Sequence, residues 1–302
     1  IWRSGLVVEQ PDGRYQTRET QLRGKQAEQI RTAPQDFLAE LTAHRATFTQ
    51  EELEAALVRR LLTDDFEPVL DSLLQSPELI RLGVDSKGKT QFTSADHLRA
   101  ERSLIELAKV LSERRTHRVR AAAIANASAR AELGLEQERA YRYLCRESGD
   151  CAVVQGIAGA GKSYLLGVAR QAWEAGGYRV HGAALAGAAA DALQRESGIP
   201  SRTLAAWELA WSHDRLGLTE NDVFLVDEAG MVGSDQLEAV LEVVKSAGAK
   251  VVLVGDSNQL QPIAAGSAMR LVAEQSGQFV VTAVRRQREA WQRAAVRAMG
   301  LG

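Results

Sequence analysis

The stretch VVQGIAGAGKSYLLG, residues 153–167, constrains this chain more than any other. Two β-branched residues run into a loop holding Gly156, Gly159 and Gly161, and then into Lys162, Ser163 and an apolar helix start. Gly156, Gly161, Lys162 and Ser163 have the spacing G-x-x-x-x-G-K-[ST]. Glycine backbone lets successive N–H groups converge on phosphates, and a helix beginning near Lys162 adds its positive dipole end. Lys162 then reaches the β- and γ-phosphates, and Ser163 offers a hydroxyl to Mg²⁺. The candidate phosphate cradle is Gly156, Ala158, Gly159, Ala160, Gly161, Lys162, Ser163 and Tyr164. At average composition such a string arises by chance in roughly one chain of this length in a hundred. A plain Gly/Ala turn is the alternative, but the string sits between a strand and a helix, as the mechanism requires.

From about residue 126 that alternation continues. CAVVQ (151–155), YRVHGAA (178–184), VFLVD (223–227), KVVLVG (250–255) and QFVVTAV (278–284) read as strands. Helices fall between them, including SDQLEAVLEVVKSAG (234–248), with Ser234 as N-cap and Gly248 as C-cap. Near-continuous Val/Leu strands separated by amphipathic helices predict a parallel sheet covered on both faces. The expected fold class is α/β, with an ATPase-type domain over 126–302.

Residues 1–125 read as a separate, mostly helical domain. LVVEQPDGRYQT (6–17) predicts a hairpin around Pro-Asp-Gly. FTQEELEAALVRRLL (48–62) opens with a capping box, Thr49 to Glu52, and DFEPVLDSLLQ (65–75) predicts a second helix. LIRLGVDSKGKTQFTS (79–94) predicts two short strands, and a long helix follows from about Ser94 to Arg115, signalled by Thr93 and Asp96. Helices followed by a hairpin resemble a winged helix, which would bind DNA or a partner, or merely space the next domain. ERRTHRVR (113–120) reads as a solvated basic helix end or a phosphate contact.

A phosphate loop needs a carboxylate site for its metal. VFLVDEAGM supplies one: a strand ending in Asp227, which would hold Mg²⁺ through water, and Glu228, which would polarise the attacking water. VLVGDSNQLQPI (252–263) reads as a sensor segment with Gln259 near the γ-phosphate. TAVRRQRE (282–289) places Arg285 and Arg286 beyond the last strand, as a solvated basic face or as a source of transition-state charge stabilisation.

The net charge of −2 rules out a generally basic coat, so nucleic acid contact would come from local patches. Two cysteines give no disulfide framework and suggest a reducing compartment, and five scattered histidines show no metal-ligand spacing. No apolar run approaches the roughly 20 residues needed to span a bilayer. A cytoplasmic location is expected.

In motif order, the second half resembles the first motor domain of a superfamily 1 DNA helicase of the RecD-like branch, and more closely the helicase region of conjugative relaxases of the MobA/TraA type. The match covers about 130–302 through VVQGIAGAGKS, AALAGAAADAL, SRTLAAWE, VFLVDEAGMV, VLVGDSNQLQPI and VRRQRE, and loosely reaches LTAHRATFTQEEL and LLQSPELIRLG. The resemblance implies a RecA-like P-loop ATPase domain, ATP and Mg²⁺ as cofactors, and single-stranded DNA as partner. It further implies that Gln137 recognises adenine, Gln259 couples nucleotide state to DNA, and Arg286 is the arginine finger. Ala186, Gly187, Ala188 and Thr203 would hold the single-strand backbone; helix–sheet packing through alanines is the alternative there.

Two departures from the family pattern follow. The interval 207–222, where a pin hairpin is usual, is short and helix-like, with Trp207 and Trp211 read as packing residues. The chain opens without methionine and ends without a second RecA-like domain, so it is read as a piece of a longer protein that would bind ATP but translocate poorly. The implied function is an ATP-dependent 5′-to-3′ DNA helicase fragment serving plasmid transfer, possible contacts including type IV secretion coupling machinery. The competing readings are a non-hydrolysing single-stranded-DNA-binding module and a secretion-signal module derived from a helicase.

Overall fold

The computed structural model describes residues 7–9, 15–43, 45–157, 159–213, 215, 217–256 and 266–282. Contacts between Cα atoms divide the chain into Ile1–Arg99 and Ala100–Gly302. The division falls earlier than the boundary near residue 125 expected from composition. The reason is packing: Leu104, Leu107, Ala108 and Leu111 belong to the core of the second unit.

In the first unit, β1 (Val7–Glu9) pairs antiparallel with β2 (Tyr15–Thr17), giving the expected hairpin, whose Pro-Asp-Gly tip lies outside the described residues. There follow α1 (Arg18–Thr32), α2 (Pro34–Thr42), β3 (Phe48–Thr49), α3 (Gln50–Val58), α4 (Thr63–Leu74), β4 (Leu79–Val84) and β5 (Thr90–Ser94). The small sheet runs β3-β5-β4, all antiparallel. A helix, a short strand, two helices and a hairpin that pairs with that strand make the winged-helix order. The capping box closes α3 as the sequence predicts, with the Thr49 hydroxyl accepting from the Glu52 N–H and the Glu52 carboxylate accepting from the Thr49 N–H. Leu38, Phe48, Leu53, Leu57, Val69, Leu73 and Phe92 form the core of this unit. The helix α5 (Ala95–Glu113) is capped by Ser94, whose hydroxyl accepts from the His97 N–H, while the Thr93 hydroxyl donates to Ala46 O instead.

The second unit contains α6 (Ala121–Ser128), α7 (Leu135–Arg142), a π-helical turn (Tyr143–Glu147), β6 (Cys151–Gly156), α8 (Lys162–Ala175), β7 (Arg179–Ala184) and α9 (Gly187–Ser197). It continues with β8 (Ser201–Thr203), α10 (Leu204–Trp211), β9 (Asp222–Val226), a 3₁₀ turn (Ala229–Met231), α11 (Ser234–Ala247), β10 (Lys250–Gly255), α12 (Gly266–Ser276) and β11 (Gln278–Val281). Its sheet runs β11-β6-β10-β9-β7-β8, every pair parallel.

Alternate residues of each central strand point to opposite faces, and both faces are covered. Cys151 and Val153 of β6 join one apolar cluster with α5, α10, α11 and α12, whereas Ala152 and Val154 join the other with α6, α7, α8 and α9. This is why the strands read as unbroken Val/Leu runs. Each such fully buried Val or Leu contributes roughly 1.5–3 kcal/mol.

Two local expectations need correction, and one strand was not foreseen. α11 is capped by Gly233 without a side-chain bond, Ser234 being its first residue and buried. Residues 114–120 are not a helix end: Arg114, Thr116 and His117 turn onto Asp150. β8, a three-residue edge strand, carries no period-2 pattern long enough to read.

Candidate nucleotide site

The loop between β6 and α8 crosses to the helix through two left-handed glycines, Gly159 at φ 81 and Gly161 at φ 75. A side chain would be strained at either position. Gly161 is the N-cap of α8, so Lys162 and Ser163 stand on the first turn, where helical N–H groups have no intrahelical partner. Lys162 Nζ donates to Gly156 O and, at 3.4 Å, to Ile157 O, folding the side chain over its own loop.

β9 brings the acidic pair to the same place. The sheet puts β10 between β6 and β9, and the parallel register delivers all three C-terminal ends to one edge, where ligands of such sheets bind. Asp227 Oδ1 accepts from the Glu228 N–H at 2.9 Å, and the Asp227 N–H donates to Ala183 O at 2.8 Å. Burial raises the Asp227 pKa above the usual carboxylate range, opposed by the Glu228 N–H bond and the Lys162 charge. Glu228 has φ 53, and among the described residues it is the one non-glycine at positive φ.

Gly159, Ala160, Gly161, Lys162, Ser163, Tyr164, Gln137, Asp227 and Glu228 all line one cavity of about 1020 Å³. Arg130, Glu132, Ala189, Ala192, Leu193 and Glu196 complete it. Sequence reasoning missed these last six. The spacing of Ala189, Ala192, Leu193 and Glu196 marks one face of a helix, which could have been read off residues 185–196 once a helix was assigned there.

Gln137 lines the same cavity, with its carboxamide turned to the phosphate loop. Its side chain is buried and donates from Nε2 to Ala160 O at 3.1 Å and to Gly161 O at 3.3 Å, while Oε1 accepts from the Gly134 N–H at 3.0 Å. The preceding residue, Glu136, accepts from the N–H and the hydroxyl of Thr282, at 2.8 and 2.9 Å, just beyond β11.

Ala186, Gly187 and Ala188 are exposed at the start of α9, and Thr203 is half-buried, its hydroxyl accepting from the Ala206 N–H as the cap of α10. Trp207 packs as expected: its Nε1 donates to Gly182 O at 3.0 Å and its ring meets Phe224 edge-on at 5.2 Å. Ala158, Gln259, Arg285 and Arg286 lie outside the described residues.

Among the described residues no cluster of three or more His, Cys, Asp or Glu could cage an ion. Magnesium would instead be held by Ser163 and Asp227 together with phosphate oxygens, the way this ion usually binds alongside nucleotides. Both hard oxygen donors line the cavity, which fits that role.

The opposite end of the sheet holds a second buried polar group. Asp150 accepts from Arg114 Nε at 2.7 Å, the Thr116 hydroxyl at 2.6 Å and His117 Nδ1 at 3.1 Å. Burial alone would raise its pKa, but the hydrogen bonds from His117 and Thr116 and the His117 charge hold it at about 2. Lys250, fully buried, donates to Ser148 Oγ and Gly149 O, and burial lowers its pKa to about 8. Cys145 and Cys151 are both free and buried; burial pushes the Cys151 thiol up to about 12, and both behave as packing groups.

A parallel sheet that sends a Gly-rich loop, a Lys-Ser helix start and an acidic strand end into one cavity defines a RecA-like P-loop nucleotide-binding domain. The chain belongs to the AAA domain family, whose model matches residues 132–302. It is similar to the probable conjugal transfer protein TraA of Sinorhizobium fredii, 38% identical over 279 residues, which cover 89% of this chain and 25% of that protein. It is also similar to the conjugal transfer protein TraA of Agrobacterium fabrum, 40% identical over 256 residues, covering 81% of this chain and 23% of the relative. An ATP-dependent RecD2 DNA helicase of Deinococcus radiodurans is 30% identical over 162 residues, 52% of this chain and 22% of the relative. The resemblance read from the motifs is therefore borne out, and the chain spans about a quarter of the length of these curated relatives. No helix among the described residues is long and apolar enough to cross a membrane.

Proposed function

We propose that the chain is the nucleotide-binding motor domain of an ATP-dependent 5′-to-3′ DNA helicase region of a conjugative relaxase, working on single-stranded DNA during plasmid transfer. The observation that carries this reading is the convergence of Lys162, Ser163, Asp227 and Glu228 on one cavity. Bound Mg²⁺ would neutralise charge on the β- and γ-phosphates. The loop amides from Ala158 to Lys162 would cradle the phosphates, and Lys162 would exchange its loop carbonyls for phosphate oxygens. Asp227, whose carboxylate accepts from the Glu228 N–H, would orient the metal's water shell. Glu228 would polarise the attacking water. Gln259 and Arg286 are the proposed γ-phosphate sensor and arginine finger.

The exposed small residues Ala186, Gly187 and Ala188, with Thr203, suit close approach of a sugar-phosphate backbone. In the first unit, α4 exposes Asp64, Glu67 and Asp71 and carries no Lys or Arg, which disfavours phosphate contact along that helix. Glu228 in a strained left-handed conformation favours hydrolysis over a pure binding role, since such strain persists where function requires it. A bacterial cytoplasmic location and contact with secretion coupling machinery fit the same reading. The experiment is a calorimetric titration of MgATP into the wild type and Lys162→Ala, with DNA-stimulated hydrolysis measured on the full-length protein. Unchanged affinity in the variant, or no hydrolysis in the full-length wild type, removes the motor reading.

A further inference from the structure

α6 lies on α8: its Ile124 and Ala127 share an apolar cluster with Leu165, Ala169 and Ala172, and the Tyr141 hydroxyl donates to Ile124 O at 2.8 Å. Beside this contact runs an open groove of about 640 Å³. Arg120, just before α6, and Arg130, just after it, both line the groove and both are exposed. The rest of the lining is alanine methyl groups and the carboxamides of Asn126 and Gln171, with no carboxylate and no aromatic ring among the described residues.

The charge along this groove has one sign. From Arg114 to Ala131 the sequence holds five arginines and no Asp or Glu. Arg114 is bonded to Asp150, whereas Arg120 and Arg130 have no carboxylate partner among the described residues. The helix adds to the field at its start. Arg120 is the N-cap of α6 and makes no side-chain bond there, so the first-turn N–H groups keep their positive end beside it. At the other end Arg130 follows the C-cap, Ala129, and offsets the negative end of the dipole.

Spacing and lining together select the occupant. At 1.5 Å per residue the two arginines stand roughly 15 Å apart along the α6 axis. A nucleic acid strand is held by a basic track along its backbone and by aromatic platforms for its bases. Between Arg120 and Arg130 the groove offers methyl groups and amides instead. A helix of another protein suits it better, since small side chains let two helix axes approach to about 8 Å. Carboxylates about ten residues apart on that helix would meet both arginines.

We propose that the groove beside α6 and α8 docks an acidic amphipathic helix of a partner protein, its apolar face on the alanines and its carboxylates on Arg120 and Arg130. This reading is independent of the nucleotide site, although Arg130 also lines that cavity and places the docked helix next to it.

The probe is a fluorescent, stapled, alanine-rich peptide of about twenty residues, the staple holding a helix that would be marginal alone. It carries glutamates about ten residues apart; a second version has lysines in their place, and a thymidine oligonucleotide of matching charge is the competitor. Binding to the full chain is followed by anisotropy at low salt. The wild type should bind the glutamate peptide and not the lysine peptide. Arg120→Glu/Arg130→Glu should weaken the glutamate peptide by about tenfold or more, through two lost ion pairs and two new repulsions, and should gain binding of the lysine peptide. That gain is an effect a misfolded variant would not show. Ala122→Trp, at an exposed position of the lining, should block the groove without any change of charge. The proposal is overturned by a wild type that binds neither peptide or both alike, or by unchanged glutamate-peptide affinity in either variant. Displacement of the glutamate peptide by the oligonucleotide at lower concentration than by unlabelled peptide assigns the groove to nucleic acid and overturns it as well.

Discussion

The Glu228 N–H donates to Asp227 Oδ1 at 2.9 Å across a turn that holds Glu228 at φ 53. One bond thus stabilises the ionised carboxylate of Asp227 and fixes its neighbour in a conformation that non-glycine residues avoid. A left-handed residue with a Cβ costs about 1–2 kcal/mol. Glu228→Gly should therefore be more stable than Glu228→Ala by about 1 kcal/mol in denaturant melts, although both lose turnover. Equal stability of the two would mean that the turn carries no strain.

Turnover itself is tested by Glu228→Gln in the full-length protein, which keeps the shape of the side chain and removes its basicity. ATP and DNA binding should persist while hydrolysis falls by roughly 10²-fold or more, the scale of a lost catalytic base. A variant that hydrolyses ATP at the wild-type rate would assign the water-polarising role elsewhere.

Lys162 stands half-buried on the first turn of α8, with Nζ bonded to carbonyls of its own loop. Lys162→Ala should abolish measurable MgATP binding and leave the melting temperature of the ligand-free chain close to wild type. A large drop in melting temperature would show that the lysine holds the fold as well as phosphate.

Asp150 predicts the acid limb of stability. Its pKa is lowered from 3.8 to about 2, so the folded state binds this proton less tightly than the unfolded chain. The resulting stabilisation, about 2 kcal/mol, is present above roughly pH 4 and lost as pH falls from there toward 2. Denaturant melts across that range should slope for the wild type and flatten over the same interval for Asp150→Asn.

Single-stranded DNA should be held weakly and with a shallow salt dependence. The proposed contacts at Ala186, Gly187, Ala188 and Thr203 are backbone amides and a hydroxyl, which release few counterions; the slope is about −0.7 per phosphate neutralised by a cation. Affinity measured at two salt concentrations decides this, and a steep slope with equal affinity for duplex would move the contact to Arg115, Arg118 and Arg120, which are exposed beyond α5.

The parallel sheet was legible because burial on both faces leaves residues 151–154, 223–226 and 251–254 wholly apolar, and the phosphate loop because its glycines and Lys162 answer to local geometry. The bonds from Gln137 to Ala160 O and Gly161 O were not, since they depend on α7 packing against a loop more than twenty residues away. Asp150 was equally silent: nothing local distinguishes a buried carboxylate from a turn residue until Arg114, Thr116 and His117 close on it. The start of α9 gave a DNA contact or packing as its alternatives, and the helix adds a third use, one face forming a wall of the nucleotide cavity.

Glu136 and Gln137 are consecutive residues on one turn of α7, yet they grip different parts of the domain: one holds Thr282 at the exit of β11, the other the carbonyls of Ala160 and Gly161. The turn works as a two-ended yoke. A shift of the phosphate loop that carries Gln137 with it also pulls on the chain at Thr282, three residues before Arg285 in the sequence. One helical turn thus links the phosphate loop to the exit of the outermost strand, a connection that requires no strand of the sheet to slide.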